Sequence, residues 1–209
     1  MLWLLEELGV PYEIKRYDRD PKTILAPPEL EKIHPLGKSP VITDGDVTLA
    51  ESGAILEYLV EKYGDGKFVP ARGTPEYLKC RYFMHYAEGS LMGFLTLKLV
   101  FTKVRTAKVP FFVKPITKKI AGQVEGTFID PNLARHIKFL DGELAKSTWF
   151  AGSEPTIADI QMSYPMEALG ARGAGQIPAR ITEWVKRVQD RPAYQRATEK
   201  GGPVVMDGV

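Results

Sequence analysis

GKSPVITDGDVTLAES, the stretch from Gly37 to Ser52, decides how the chain folds. Val41-Ile42-Thr43 and Val47-Thr48-Leu49 are short β-rich runs, and Asp44-Gly45-Asp46 between them is a turn signal, so the segment reads as a β-hairpin. Pro40 has no N–H to donate to a ladder, which places it at the start of the first strand. Ser52 can cap the helix that follows. Ile55, Leu56, Leu59, Val60 and Tyr63 form the buried stripe of that helix, and Gly64 ends it.

Outward from the hairpin, Met1 to Leu8 reads as a helix of Leu, Met and Glu, stopped by Gly9 and Pro11. Tyr12 to Tyr17 alternates as a short strand with Tyr12, Ile14 and Arg16 on one face. Pro27-Pro28 opens a short helix through Ile33, because proline is tolerated in a first helical turn. Gly64 to Pro75 is rich in glycine and proline and reads as a linker. Beyond it the strand signals vanish. Pro75 to about Arg105 is predicted as one long helix, and Phe111 to about Phe128 as a second, disturbed by Pro115 and Gly122. Leu133, Ile137, Leu140 and Leu144 fall at helical spacing. Thr156-Ile157-Ala158-Asp159 is a capping box that starts a helix carrying Ile157, Ile160 and Tyr164. Ile181, Trp184, Val185 and Val188 form the last clear amphipathic stripe. The architecture is a small α/β unit at 1–64, a linker at 65–74 and an all-α unit at 75–209.

Bulk composition narrows the function classes. The chain has 209 residues, 44% hydrophobic and 26% charged, as in ordinary globular proteins. A formal net charge of +2 gives no strong field pointing to nucleic acid or membrane, and Lys114, Lys118 and Lys119 read as a solvated helix face. Cys80 is the only cysteine, which excludes an internal disulfide framework and points to a reducing, cytoplasmic home. On the long helix, with no Cys-x-x-Cys partner, it reads as a packed thiol. Apolar runs are too short for a membrane span. His34, His85 and His136 lack ligand spacing, so no metal is expected. His34 is placed at a helix end and His136 at the surface.

Two segments carry chemistry. In the first, Ser39 precedes Pro40. Either this is an ordinary strand start with trans proline, or a cis bond turns Ser39's N–H and C=O outward to an extended peptide. In the second, Glu51-Ser52 heads a helix. Either it is a plain cap, or Ser52 and the first N–H groups hold a carboxylate while Glu51 pairs with an ammonium. Together these groups would grip an α-amino-acid moiety, each charge-assisted contact contributing about 1.5–3 kcal/mol.

The order of parts resembles the glutathione transferases across essentially the whole chain. Trp3-Leu4-Leu5-Glu6-Glu7-Leu8-Gly9, Pro35-Leu36-Gly37-Lys38-Ser39-Pro40, Ala50-Glu51-Ser52-Gly53-Ala54-Ile55 and Thr156-Ile157-Ala158-Asp159-Ile160 carry the likeness. Ala26-Pro27-Pro28-Glu29-Leu30, Ile33-His34-Pro35-Leu36-Gly37 and Tyr86-Ala87-Glu88-Gly89-Ser90-Leu91 narrow it to the fungal class known from yeast. The resemblance implies a thioredoxin-like N-terminal domain, an all-α C-terminal domain and a homodimer. It assigns Ser39 the backbone contact to the cysteinyl unit of glutathione and makes Pro40 the cis proline. Glu51 and Ser52 take the γ-glutamyl end, and Lys38 reaches the glycyl carboxylate. The helix bearing Tyr82, His85 and Tyr86 lines the pocket for an apolar co-substrate.

The implied activity is a cytoplasmic detoxification enzyme. It conjugates the glutathione thiolate to apolar electrophiles or reduces peroxides, with glutathione as co-substrate and no metal. The alternative is a non-catalytic glutathione- or protein-binding module of the same fold. One departure bears on the choice. Family members place a strand and a turn, with the group that faces the sulfur, before the first helix. This chain starts inside that helix, and the Tyr12 strand lacks the parallel neighbour a βαβ unit would give it. Either the natural chain extends upstream of Met1 or the protein lacks that segment; the first is the expectation, and the catalytic residue is unknown.

Overall fold

The computed structural model describes residues 1–20, 23, 25–172 and 175–202. α1 spans Leu2–Leu8 and buries Trp3, Leu4 and Leu5; Gly9 ends it at φ 66°, a left-handed conformation that glycine adopts without Cβ strain. α2 is the single turn Pro28–Glu31, with proline in its first turn. β1 (Val41–Asp44) and β2 (Val47–Ala50) pair antiparallel, with Val41 opposite Ala50 and Asp44 opposite Val47. The two-residue turn between them starts at Gly45, φ 60°.

α3 (Ser52–Tyr63) buries Ile55, Leu56, Leu59 and Val60. Asp44 ties the hairpin to this helix. It accepts hydrogen bonds from Tyr63 Oη at 2.6 Å, Lys62 Nζ at 2.8 Å and Tyr58 Oη at 2.9 Å. The Lys62 bond, with help from the two phenols, holds the Asp44 carboxyl down at about 2.

The expected strand at Tyr12–Tyr17 is not formed: among the described residues the sheet has only β1 and β2. An alternating run becomes a strand only when a neighbour completes its ladder. Here side chains hold the segment instead. Tyr12 Oη donates to Glu6 at 2.6 Å and Arg16 donates to the Gly201 carbonyl at 3.1 Å.

The helical half begins with α4 (Pro75–Tyr86) and α5 (Met92–Arg105), and a π-helical turn at Ala87–Leu91 interrupts the single helix expected there. α6 starts at Lys114, later than predicted, and runs to Val124. Pro115 lies in its first turn, where the missing N–H costs nothing, so it opens the helix and does not disturb it. The irregularity comes later, at a second π turn, Glu125–Ile129, which leads straight into α7 (Asp130–Leu144).

α8 (Ile157–Ala171) carries the predicted capping box with both halves formed. Thr156 Oγ1 accepts from the Ala158 N–H at 3.2 Å, and Asp159 accepts from the Thr156 N–H at 2.9 Å. Asp159 also accepts from the Phe150 N–H at 2.9 Å, so it anchors the preceding loop as well. Ile157 and Ile160 are buried as expected, but Tyr164 is exposed. α9 (Ala179–Gln189) buries Ile181, Trp184 and Val188.

α10 (Pro192–Gly201) was not foreseen. It buries only Ala193, Tyr194 and Ala197, too thin a stripe to read from sequence. Its stability comes from α1: the Trp3 and Tyr194 rings meet edge to face at 5.6 Å. Glu6 accepts from Lys200 Nζ at 2.6 Å and from Arg196 Nε at 2.7 Å, while Arg191 Nε reaches Glu7 at 2.5 Å. One hydrophobic core runs from Trp3, Leu4, Ile55 and Leu56 through Cys80, Phe83 and Leu91 to Phe150, Met162 and Trp184. Cys80 sits inside it, and burial pushes its thiol up, away from the reactive thiolate.

Candidate functional site

The cleft that matters lies where the hairpin and the head of α3 face the first π turn, α8 and α10. It encloses about 670 Å³. Lys38, Ser39, Pro40, Glu51 and Ser52 all line it, so the structure brings the five residues read from sequence into one place. Their positions follow from local geometry. Gly37 has φ 54°, a left-handed conformation that glycine adopts without Cβ strain, and this turns the chain toward Pro40. The Ser39-Pro40 peptide is cis, and Ser39 stands before the first ladder pair, Val41 opposite Ala50.

Glu51 occupies a positive-φ conformation, φ 72° and ψ 119°, which costs a non-glycine residue about 1–3 kcal/mol. This strain puts the carboxylate at the cleft. It also shifts the helix start: Glu51 takes the cap position and Ser52 is the first helical residue, which corrects the expected cap. α3 has no side-chain cap hydrogen bond and no acid in its first turn. Its leading N–H groups and positive dipole end therefore remain available to an anion.

The opposite wall was largely illegible in the sequence. Glu88 projects from the first π turn, and Met92, Ile160, Gln161, Tyr164 and Tyr194 join it. Gln161 is buried in the middle of α8 and donates from Nε2 to Glu88 Oε1 at 3.4 Å. Desolvation, and then the nearby Glu51, push the Glu88 carboxyl above the usual range. Two carboxylates thus converge where Ser52 offers a helix end. The sequence signal that marks Glu88 is the Tyr86–Leu91 segment, which carries the narrower family likeness.

Tyr82, His85 and Tyr86 lie elsewhere. They line a shallow groove with Leu78, Arg81, Gly89 and Ser90, apart from the cleft. Tyr86 is buried, and its hydroxyl sits 2.5 Å from His136 Nδ1. His136, expected at the surface, is half-buried against the Tyr86 and Phe94 rings, and burial lowers its pKa. Among the described residues no three His, Cys, Asp or Glu side chains form a metal-binding group, and no helix is long and apolar enough to cross a membrane.

Comparison with known proteins places the whole chain in one family. Residues 1–61 match the family model of the glutathione S-transferase N-terminal domain, and residues 106–192 that of the C-terminal domain. Glutathione S-transferase 3 of Schizosaccharomyces pombe is 38% identical, the match covering 96% of this chain and 82% of that one. Glutathione S-transferase 1 of Saccharomyces cerevisiae is 30% identical, with 96% and 89% covered. Among solved structures, glutathione transferase URE2P6 of Phanerochaete chrysosporium, in complex with oxidized glutathione, superposes with a TM-score of 0.73. It is 25% identical, over 98% of this chain and 90% of that one. A glutathione S-transferase from Actinobacillus pleuropneumoniae superposes at 0.68 with 32% identity, over 95% and 85%.

Proposed function

The chain belongs to the glutathione S-transferase family, and on that premise we propose that it binds glutathione in the 670 Å³ cleft and transfers the thiolate to apolar electrophiles, with peroxide reduction as a related activity. One observation carries the reading. Ser39's backbone, the strained Glu51 and the uncapped head of α3 face one cavity, the set of groups a γ-glutamyl tripeptide needs. The α3 N–H groups and Ser52 take the γ-glutamyl carboxylate and Glu51 its ammonium. Ser39 pairs with the cysteinyl backbone and Lys38 neutralises the glycyl carboxylate. Met92, Ile160 and Tyr164 on the facing wall supply apolar surface beside the sulfur for the second substrate. Holding both partners there makes the reaction effectively unimolecular.

We extend the reading to a homodimer in a reducing, cytoplasmic setting. Exposed Leu78 and Tyr82 on α4 support the first, and the lone buried Cys80 the second. The test is calorimetry with glutathione alongside turnover of an activated aryl halide and of a hydroperoxide. Binding and turnover are expected, and Glu51→Gln should weaken binding about tenfold or more, the equivalent of one charge-assisted contact. Binding without turnover would establish the glutathione-binding module in its place; no binding would sink the enzyme reading and leave only the protein-binding module.

A further inference from the structure

The chain between Glu88 and Glu125 contains no acidic residue, but it holds Lys98, Lys103, Arg105, Lys108, Lys114, Lys118 and Lys119. Because the whole protein is only +2, the remainder is net acidic and this segment is a local concentration of positive charge. Lys98 and Arg105 are bound to Glu125. The other five lysines are exposed and form no ion pair among the described residues. The same segment exposes its largest apolar side chains. Phe111 is 84% and Phe112 66% exposed, their rings in contact at 5.6 Å where the chain leaves α5 and enters α6. Ile116 and Ile120 are also exposed and stand one helical turn apart along α6. Single exposed apolar residues are ordinary, but here an aromatic pair and an exposed isoleucine pair follow one another along a segment that also carries five exposed lysines.

We propose that this α5–α6 tip docks on the surface of an anionic lipid bilayer, with Phe111 and Phe112 entering the interface and the five lysines meeting the headgroup phosphates. The pattern of apolar anchors beneath a basic fringe is that of peripheral membrane elements. Charge decides between occupants. A second copy docked tip to tip would bring two sets of uncompensated lysines together, whereas an anionic bilayer complements them. Shape points the same way, because the strongly exposed rings lie on a helix-to-helix connection. α5 places the tip roughly 20 Å from Met92 at the cleft, so docking leaves the cleft open.

The test is cosedimentation of the full chain with vesicles of phosphatidylcholine alone, or mixed with phosphatidylserine at about one-third of the lipid. Runs at about 0.1 M and 1 M salt use the shorter Debye length at high salt to screen the lysines. The chain should pellet with the mixed vesicles at low salt and stay in the supernatant with neutral vesicles or at high salt. Phe111→Ser with Phe112→Ser should weaken binding at least about tenfold, since one phenyl transfer alone is worth that much. Lys114→Glu with Lys118→Glu and Lys119→Glu should abolish it. Both variants replace exposed side chains, and wild-type circular dichroism melts will confirm that they fold. Wild-type protein that remains in the supernatant with mixed vesicles overturns the proposal. So does an unweakened Phe variant, or one that changes the protein's oligomeric size by light scattering, which would make the patch a contact between copies.

Discussion

Glu88 and Glu125 both sit on π turns that interrupt the helical half, yet they meet opposite surroundings. Glu125 is 4% exposed, with Lys98 at 3.4 Å and Arg105 at 2.9 Å, and Asp130 takes the other side of Lys98 at 2.8 Å. Glu88 faces the cleft, with the amide of Gln161 and a second carboxylate, Glu51, as its company. A π turn inserts one residue into the helical repeat and re-aims the side chains around it. Backbone geometry alone therefore does not sort function from structure. The supply of cations does: Glu125 is braced by two of them, whereas Glu88 faces the cleft with no ion pair among the described residues.

The largest expected effect tests the brace. Glu125→Ala should lower stability by about 1.5–3 kcal/mol in denaturant melts, the worth of its charge-assisted bonds, since the buried Lys98 keeps Asp130 at 2.8 Å. Replacing both members, Lys98→Met with Glu125→Leu, should recover most of that loss by filling the space with apolar groups. If the single variant costs under about 1 kcal/mol, the two π turns are not the different devices described above.

Glu88 should behave in the reverse way. Glu88→Gln should leave stability within about 0.5 kcal/mol, because the amide oxygen can still accept from Gln161 and no ion pair is lost, and weaken glutathione about tenfold by calorimetry. Unchanged affinity would remove Glu88 from the binding wall.

A smaller effect is expected in the pH dependence of stability, and the sign separates two carboxylates. The Lys200 hydrogen bond, with Tyr12 and Arg196 behind it, holds Glu6 down at about 2 from an ordinary 4.5. Its stabilisation is therefore fully present above about pH 4.5 and is lost as pH falls toward 2. Glu88 is raised, so the folded state holds its proton longer than the unfolded one. Its contribution is present at low pH and fades as pH rises through the folded value. In urea melts across pH, Glu6→Gln should flatten the acid limb and Glu88→Gln the limb above it. Identical profiles for the two variants would contradict the assignment.

Local signals were legible in proportion to how little they needed from the rest of the chain. The hairpin, the Gly9 stop and the Thr156–Asp159 capping box depend on residues within a few positions of one another, and each formed; the stripe of α3 formed except for Tyr63, which is exposed because its hydroxyl reaches Asp44 on the hairpin. Tyr12–Tyr17 had the pattern of a strand without a partner to complete a ladder. α10 had too few apolar residues to announce itself, since what holds it is Glu6 and Trp3, nearly the whole chain away. Lys114, Lys118 and Lys119 were rightly read as exposed. That reading missed the bare Phe111 and Phe112 beside them, because sequence does not say which aromatic residues a core will accept.

The near rim of the cleft was thus decided by sequence: Lys38, Ser39, Pro40, Glu51 and Ser52 lie on one hairpin and one helix head, whose geometry is set by short-range sterics and hydrogen bonds. The far rim was decided only by tertiary structure. Glu88, Ile160, Tyr164 and Tyr194 come from three separate elements of the helical half, and they face the cleft because a shared core docks those elements against the hairpin unit. Burial and electrostatic environment are properties of that docking, so no stretch of sequence read alone could tell the glutamate of the site from the glutamate of the brace.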